Sequence, residues 1–172
     1  MTIYALSTVQ GQSGVAIIRV SGPLAEEAIF KLTHKKLKPR MATLCKILNS
    51  KKEALDEAVV IFFEEKRSFT GESVAEFQTH GGEAIIRSVL RELSLIKGLR
   101  PAEPGEFTKQ AYLSGKINLV QAEGLGDLIS AQTEKQRQQA MMQYGDETSN
   151  KYLAWSKAVS YTHLTLPTSV IV

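Results

Sequence analysis

The stretch from Ser68 to Gly82 constrains this chain most, because its apolar period changes abruptly at its end. Val74 to Thr79 alternates in the two-residue period of a strand, with Val74, Glu76 and Gln78 on one face and Ala75, Phe77 and Thr79 on the other. His80-Gly81-Gly82 follows, and then Ile85, Ile86, Val89, Leu90, Leu93 and Ile96 recur with the period of a helix. A strand that turns into a helix through two glycines lets the backbone bend sharply and approach a ligand. The helix start offers free N–H groups to an anionic or carbonyl group. Glu76 sits mid-strand, where a carboxylate is disfavoured. Two readings stand on these residues: an edge strand with a solvated glutamate, or a buried carboxylate that needs a donor partner.

Size and charge narrow the class. The chain has 172 residues, enough for one domain or one domain with part of another. A 43% hydrophobic share supports a real core. The net charge of +3 permits contact with nucleic acid or an anionic ligand without requiring it. The single cysteine, Cys45, excludes an internal disulfide framework and a cysteine-based zinc cluster. It fits a reducing compartment. No signal-peptide pattern opens the chain, and no apolar run approaches the ~20 residues of a membrane span. The expectation is a cytoplasmic protein with no membrane contact.

Two strands are expected over Ile3 to Ser7 and Val15 to Val20, the second central and buried on both faces because it is almost continuously apolar. Arg19 interrupts it, either snorkelling from the strand end or held for a planar anion; the residues alone weigh toward the first. Ser21-Gly22-Pro23 starts a helix with Leu24, Ala28, Ile29 and Leu32 on one face. From Ala28 to Lys52 there is no acidic residue, against Lys31, Lys35, Lys36, Lys38, Arg40, Lys46, Lys51 and Lys52. These read first as a solvated connection around an edge strand, Ala42 to Leu48, and second as a contact for a nucleic-acid backbone. No aromatic residue interleaves the lysines, so base stacking is not expected.

Asn49 to Asp56 reads as a turn and Glu57 to Glu64 as a strand. The clearest helix is Glu83 to Lys97, ended by Gly98. Two prolines and a glycine make Leu99 to Gly105 a loop before a short helix, Glu106 to Leu113. Lys116 follows a glycine and is either merely exposed or presented to a ligand. Asn118 is suited to cap a helix beginning at Leu119. That helix turns polar and glutamine-rich from Gln132 to Gln143, so it reads as one long helix opening an unfinished helical domain. From Val159 the helix formers give way to threonine, proline and β-branched residues. The tail resembles a read-through peptide found at the ends of unrelated translations and is expected to be non-native. The expected division is therefore 1–118, 119–158 and a tail 159–172.

Four stretches carry a specific resemblance: Gly14 to Gly22, Ser68 to Gly82, Arg100 to Thr108, and Ala111 to Glu123. On these the chain resembles the MnmE/TrmE family of tRNA modification GTPases, over about residues 2 to 158. The resemblance implies an α+β fold, similar to the folate-binding aminomethyltransferase fold, with a mixed sheet and flanking helices. It implies that this domain binds 5-formyl- or 5,10-methylene-tetrahydrofolate and forms a homodimer. A helical domain with an inserted G domain would follow. GTP, Mg²⁺ and K⁺ would belong to that G domain. The partners implied for the full-length family member are an MnmG-type flavoprotein and tRNA, whose wobble uridine receives a carboxymethylaminomethyl-type group.

By the same resemblance the folate-contacting residues are Arg19, Glu76 and Lys116, with the carboxylate accepting from pterin N–H donors and the two cations facing folate oxygens. None of these is a nucleophile or a base. The chain departs from the family in lacking a Gly-x-x-x-x-Gly-Lys-Ser/Thr phosphate loop, so it is expected neither to bind nor to hydrolyse GTP. Asn118 stands where aspartate is usual. Gly124 and Gly126 stand where alanine is usual and are expected to weaken their helix by about 1 kcal/mol each. The leading expectation is thus an N-terminal fragment that binds folate and dimerises. The alternatives are a stand-alone folate-dependent one-carbon transferase and a purely structural dimerisation module.

Overall fold

A computed structural model describes residues 1–165. Strands β1 (Thr2–Leu6), β2 (Ser13–Ser21), β3 (Thr43–Leu48), β4 (Ala54–Phe63), β5 (Val74–Gly81) and β6 (Leu99–Pro101) form one sheet in the order β3-β4-β5-β2-β1-β6. All neighbours are antiparallel except β1 and β6, which are parallel. Helices α1 (Ala25–Thr33), α2 (Glu83–Ser94) and α3 (Glu106–Leu113) complete the unit Met1–Lys116. This is an α+β arrangement with a mixed sheet and flanking helices.

The core follows from the strand period. Ile18 and Val20 of β2, Ala75 and Phe77 of β5 and Val60 of β4 are buried on one face, under Ala28, Ile29 and Leu32 of α1 and Val89 and Leu93 of α2. Each of the larger side chains among them contributes roughly 1.5–3 kcal/mol when fully buried. The alternate residues fall on the opposite face. There the expectation for β2 fails: Ile17 and Arg19 are only half-buried and Val15 is exposed, so the strand is buried on one face. Its apolar run reflects its central place in the sheet, not a helix layer on each side.

The edge-strand reading of the organising stretch also fails, because β5 lies between β4 and β2. Its strand runs two residues past Thr79. Helix α2 stops at Ser94, three residues short of the expected end, and a turn leads to Gly98 at φ 95. Strand β6 was hidden by its length and by Pro101. It pairs through Leu99 and Arg100 with Thr2 and Ile3. Asp56 belongs to β4 rather than to the turn before it. Burial pushes its carboxyl up. Hydrogen bonds from the His80 backbone and ring and from the Glu57 backbone outweigh that and hold it below the ordinary value.

Helix α3 matches the expected range and is anchored at its start. Arg100 forks onto the Glu106 carboxylate, and Glu106 Oε2 accepts from the Glu103 N–H at 2.8 Å. The Arg100 bond, with the Glu103 bond, lowers the Glu106 carboxyl from 4.5 to about 2.

The second unit begins at Ile117. Its sequence is broken into α4 (Leu119–Ser130), α5 (Glu134–Tyr144) and α6 (Asp146–Thr165), which corrects the expectation of one long helix. The breaks have local causes. Asn118 caps α4, as expected, by accepting from the Gln121 N–H at 2.9 Å. Thr133 with Gln136 makes a second capping box, which starts α5 afresh. In α5 only Ala140 is buried, in keeping with its polar composition. Helix α6 continues through Thr165, beyond the expected change of pattern at Val159. Residues 166–172 of the expected tail lie outside the described residues.

Gly124 has a role that composition hides. A Cβ there would meet the Tyr144 backbone nitrogen at 2.7 Å, so the glycine allows α4 and α5 to approach closely. At Gly126 a Cβ would meet nothing within 4 Å. Gly126→Ala is therefore expected to stabilise the helical unit by about 1 kcal/mol, as helix propensity dictates. Gly124→Ala is expected to destabilise it; urea melts of both variants followed by helical ellipticity test this, and a gain at both positions would refute the close approach.

The Arg100–Glu106 pair gives a pH dependence. A folded value of about 2 against an ordinary 4.5 means that the contribution is complete above about pH 4.5 and is lost as pH falls toward 2. Thermal melts of the wild-type chain should lose more stability over that window than those of Glu106→Gln. Parallel pH curves would contradict the pairing.

Candidate functional site

Antiparallel pairing of β2 with β5 places Arg19 directly opposite Glu76. Both point to the sheet face away from α1 and α2. Arg19 Nε and Nη2 donate to Glu76 Oε1 at 2.9 and 2.7 Å. The side chains are 26% and 17% exposed, so the pair is half-buried. Both contacts fall on Oε1, and among the described residues nothing donates to Oε2, whose lone pairs can receive a further donor. Phe107 of α3 lies under the guanidinium, with its ring centroid 5.6 Å from Cζ.

The loop between β4 and β5 is fastened beside this pair. Thr70 is fully buried, and its Oγ1 shares a hydrogen bond of 2.7 Å with Ser21 Oγ, two residues along β2 from Arg19. The Thr70 carbonyl accepts from Ser114 Oγ at 2.7 Å, two residues before Lys116. Gly22 N donates to the Ser73 carbonyl at 2.9 Å. Gly71 adopts φ 81, and a Cβ there would lie 2.6 Å from Ser114 Oγ. Only glycine fits both the dihedral and the space.

The structure thus brings two of the three expected residues together. Arg19 and Glu76 touch. Lys116 is exposed and donates instead to the Lys66 carbonyl, and Lys66 N donates to the Gly71 carbonyl at 2.9 Å. Its link to the ion pair runs through Ser114, Thr70 and Ser21. Sequence reasoning missed Phe107, Thr70 and Ser114. Phe107 is marked only by its place on a short helix, and Thr70 only as the apolar-flanked hydroxyl of a turn.

Two buried acceptors lie in the same segments. Glu72 Oε2, on the loop, and Gln110 Oε1, on α3, take no hydrogen bond among the described residues. A buried acceptor of this kind is chemically able to receive an N–H donor. Among the described residues there is no cluster of three metal-ligating side chains. None of their helices is long and apolar enough to cross a membrane.

In class, the first unit is an α+β domain with a charged pair on the face of its mixed sheet away from α1 and α2. Residues 2–116 match the family described as GTP-binding protein TrmE N-terminus, and the chain belongs to that family. It is 48% identical over 156 residues to the mitochondrial 5-taurinomethyluridine-[tRNA] synthase subunit GTPB3 of Danio rerio, covering 90% of this chain and 31% of that protein. It is 48% identical over 156 residues to the tRNA modification GTPase MnmE of Parvibaculum lavamentivorans, covering 90% and 36%. Against the human mitochondrial GTPB3 subunit the identity is 44% over 162 residues, covering 92% and 33%. The chain spans about a third of the length of these curated relatives.

The loop anchorage is testable through its glycines. Gly115 has φ 71 but no atom within 4 Å of a built Cβ, so Gly115→Ala should cost only the left-handed strain, roughly 1–2 kcal/mol. Gly71→Ala adds the collision with Ser114 and should cost clearly more in urea denaturation. Equal losses would show that Ser114 does not hold the loop.

Proposed function

We propose that residues 1–116 bind a reduced folate carrying a one-carbon unit, 5-formyl- or 5,10-methylene-tetrahydrofolate, on an aminomethyltransferase-like fold, and that they pair as a homodimer. In this reading the full-length protein uses the module, with an MnmG-type flavoprotein, to modify the wobble uridine of tRNA. GTP with Mg²⁺ and K⁺ belongs to a G domain whose phosphate-loop motif is not in this sequence. The observation that carries the reading is the Arg19–Glu76 pair with its free Oε2. A pterin presents adjacent ring N–H and amino donors, and a carboxylate oxygen already fixed by an arginine is oriented to receive them. The one-carbon chemistry is the cofactor's. The protein's part is to hold the pterin edge at Glu76, face its oxygens with Arg19 and Lys116, and keep the loop at Thr70 in place.

Pairing is supported by the same sheet face. Leu44 is 59% exposed and Val15 55%, with Ile17, Val59 and Ile61 half-buried on that side. A second copy would remove these side chains from water.

Calorimetric titration with 5-formyl-tetrahydrofolate tests the ligand. Glu76→Gln is expected to weaken binding by about 2–5 kcal/mol, the usual loss for one partner of a desolvated charged pair. Its circular dichroism should be unchanged. Equal affinities for variant and wild type would sink the assignment. Light scattering of the same samples should give a dimer mass at micromolar concentration.

A further inference from the structure

Phe30 lies near the end of α1, on the side away from the buried Ala28, Ile29 and Leu32, and is 52% exposed. His34 follows as the helix cap in the left-handed conformation, φ 51, and its backbone N–H donates to the Phe30 carbonyl at 2.8 Å. That cap turns the imidazole edge-on to the phenyl ring, centroids 6.1 Å apart at 89°. Four exposed lysines, Lys31, Lys35, Lys36 and Lys38, surround the pair in sequence. Only Lys36 has an ion-pair partner among the described residues, the exposed Glu26 at 3.5 Å.

No aromatic side chain interleaves the lysines themselves, but an exposed ring stands at their start. Phe30 precedes the first of them by one residue, and the helix sets it beside His34 one turn on. Guarding the edge strand β3 does not account for the arrangement. Lys31 and Lys35 sit on α1 and just past its cap rather than on the strand, and a guard has no use for a half-exposed phenyl ring.

We propose that this end of α1 binds single-stranded RNA, one base stacking on Phe30 beside His34 and the adjoining phosphates on Lys31, Lys35 and Lys38. An aromatic platform among unpaired cations has the chemistry for an unpaired nucleotide and its backbone. The choice of RNA rests on the tRNA-modification reading above.

The test is fluorescence anisotropy of the full 172-residue chain with labelled oligouridine and with an RNA duplex, between about 50 and 200 mM salt. Oligouridine should bind saturably and more tightly than duplex. Phe30→Leu keeps an apolar side chain but no ring, and should weaken binding about 5- to 100-fold with the salt slope unchanged. Phe30→Tyr should bind as wild type, which separates stacking from folding. Lys35→Ala with Lys38→Ala should reduce the slope by about 1.4. Wild-type affinity in Phe30→Leu, or preference for duplex, overturns the proposal. The same preparations are titrated with 5-formyl-tetrahydrofolate: folate binding without RNA binding refutes this inference alone, and RNA binding without folate binding refutes the folate reading alone.

Discussion

The antiparallel ladder between β2 and β5 is the constraint on which the rest depends. Its register puts Ile18 against Phe77 on the core face and Arg19 against Glu76 on the other. A slip of one residue would send the charged pair into the core and the phenyl ring toward solvent. The packing of α1 and α2 and the charged pair are thus two consequences of one alignment. The Arg19–Glu76 bonds reinforce it from outside, because no other pairing of these strands matches guanidinium to carboxylate.

Much of the first unit was legible for physical reasons. The change of period at His80-Gly81-Gly82 announces β5 and α2, and prolines with a glycine announce the start of α3. What stayed hidden depended on neighbours far away in sequence. Strand β6 has three residues and a proline, so only its pairing with β1 reveals it. The one-sided burial of β2 could not be read because an apolar central strand looks alike with one helix layer or two. Of the candidate site, Glu76 was visible as a misfit carboxylate. Arg19 was visible as the cation interrupting an apolar strand, but that the two are partners became visible only when the register joined residues 57 positions apart.

The second unit shows where propensity misleads. A polar run after Leu119 reads as continuous helix, yet Thr133 and Gln136 close a capping box inside it. Capping satisfies orphan N–H groups at a new helix start, so a chain with few apolar residues gains from restarting there. Gly124 teaches the same lesson. Helix propensity counts it as a loss, while the backbone of Tyr144 occupies the space where a methyl group would go.

The charged pair itself is a poor investment in stability. Two half-buried charges lose hydration, and an apolar pair of similar size is often as stable or more so. The neighbouring rows of the same sheet face carry Ile17, Val59 and Ile61, so this surface accommodates apolar residues readily. What the pair supplies, and an apolar pair would not, is a carboxylate with one oxygen fixed and one free. The loop beside it is held with matching care, from Ser21 through Thr70 to Ser114, by hydrogen bonds that a merely connecting loop does not require. Rigid support around a free acceptor is the arrangement that binding demands, since an acceptor already held in place loses little further freedom when a donor arrives.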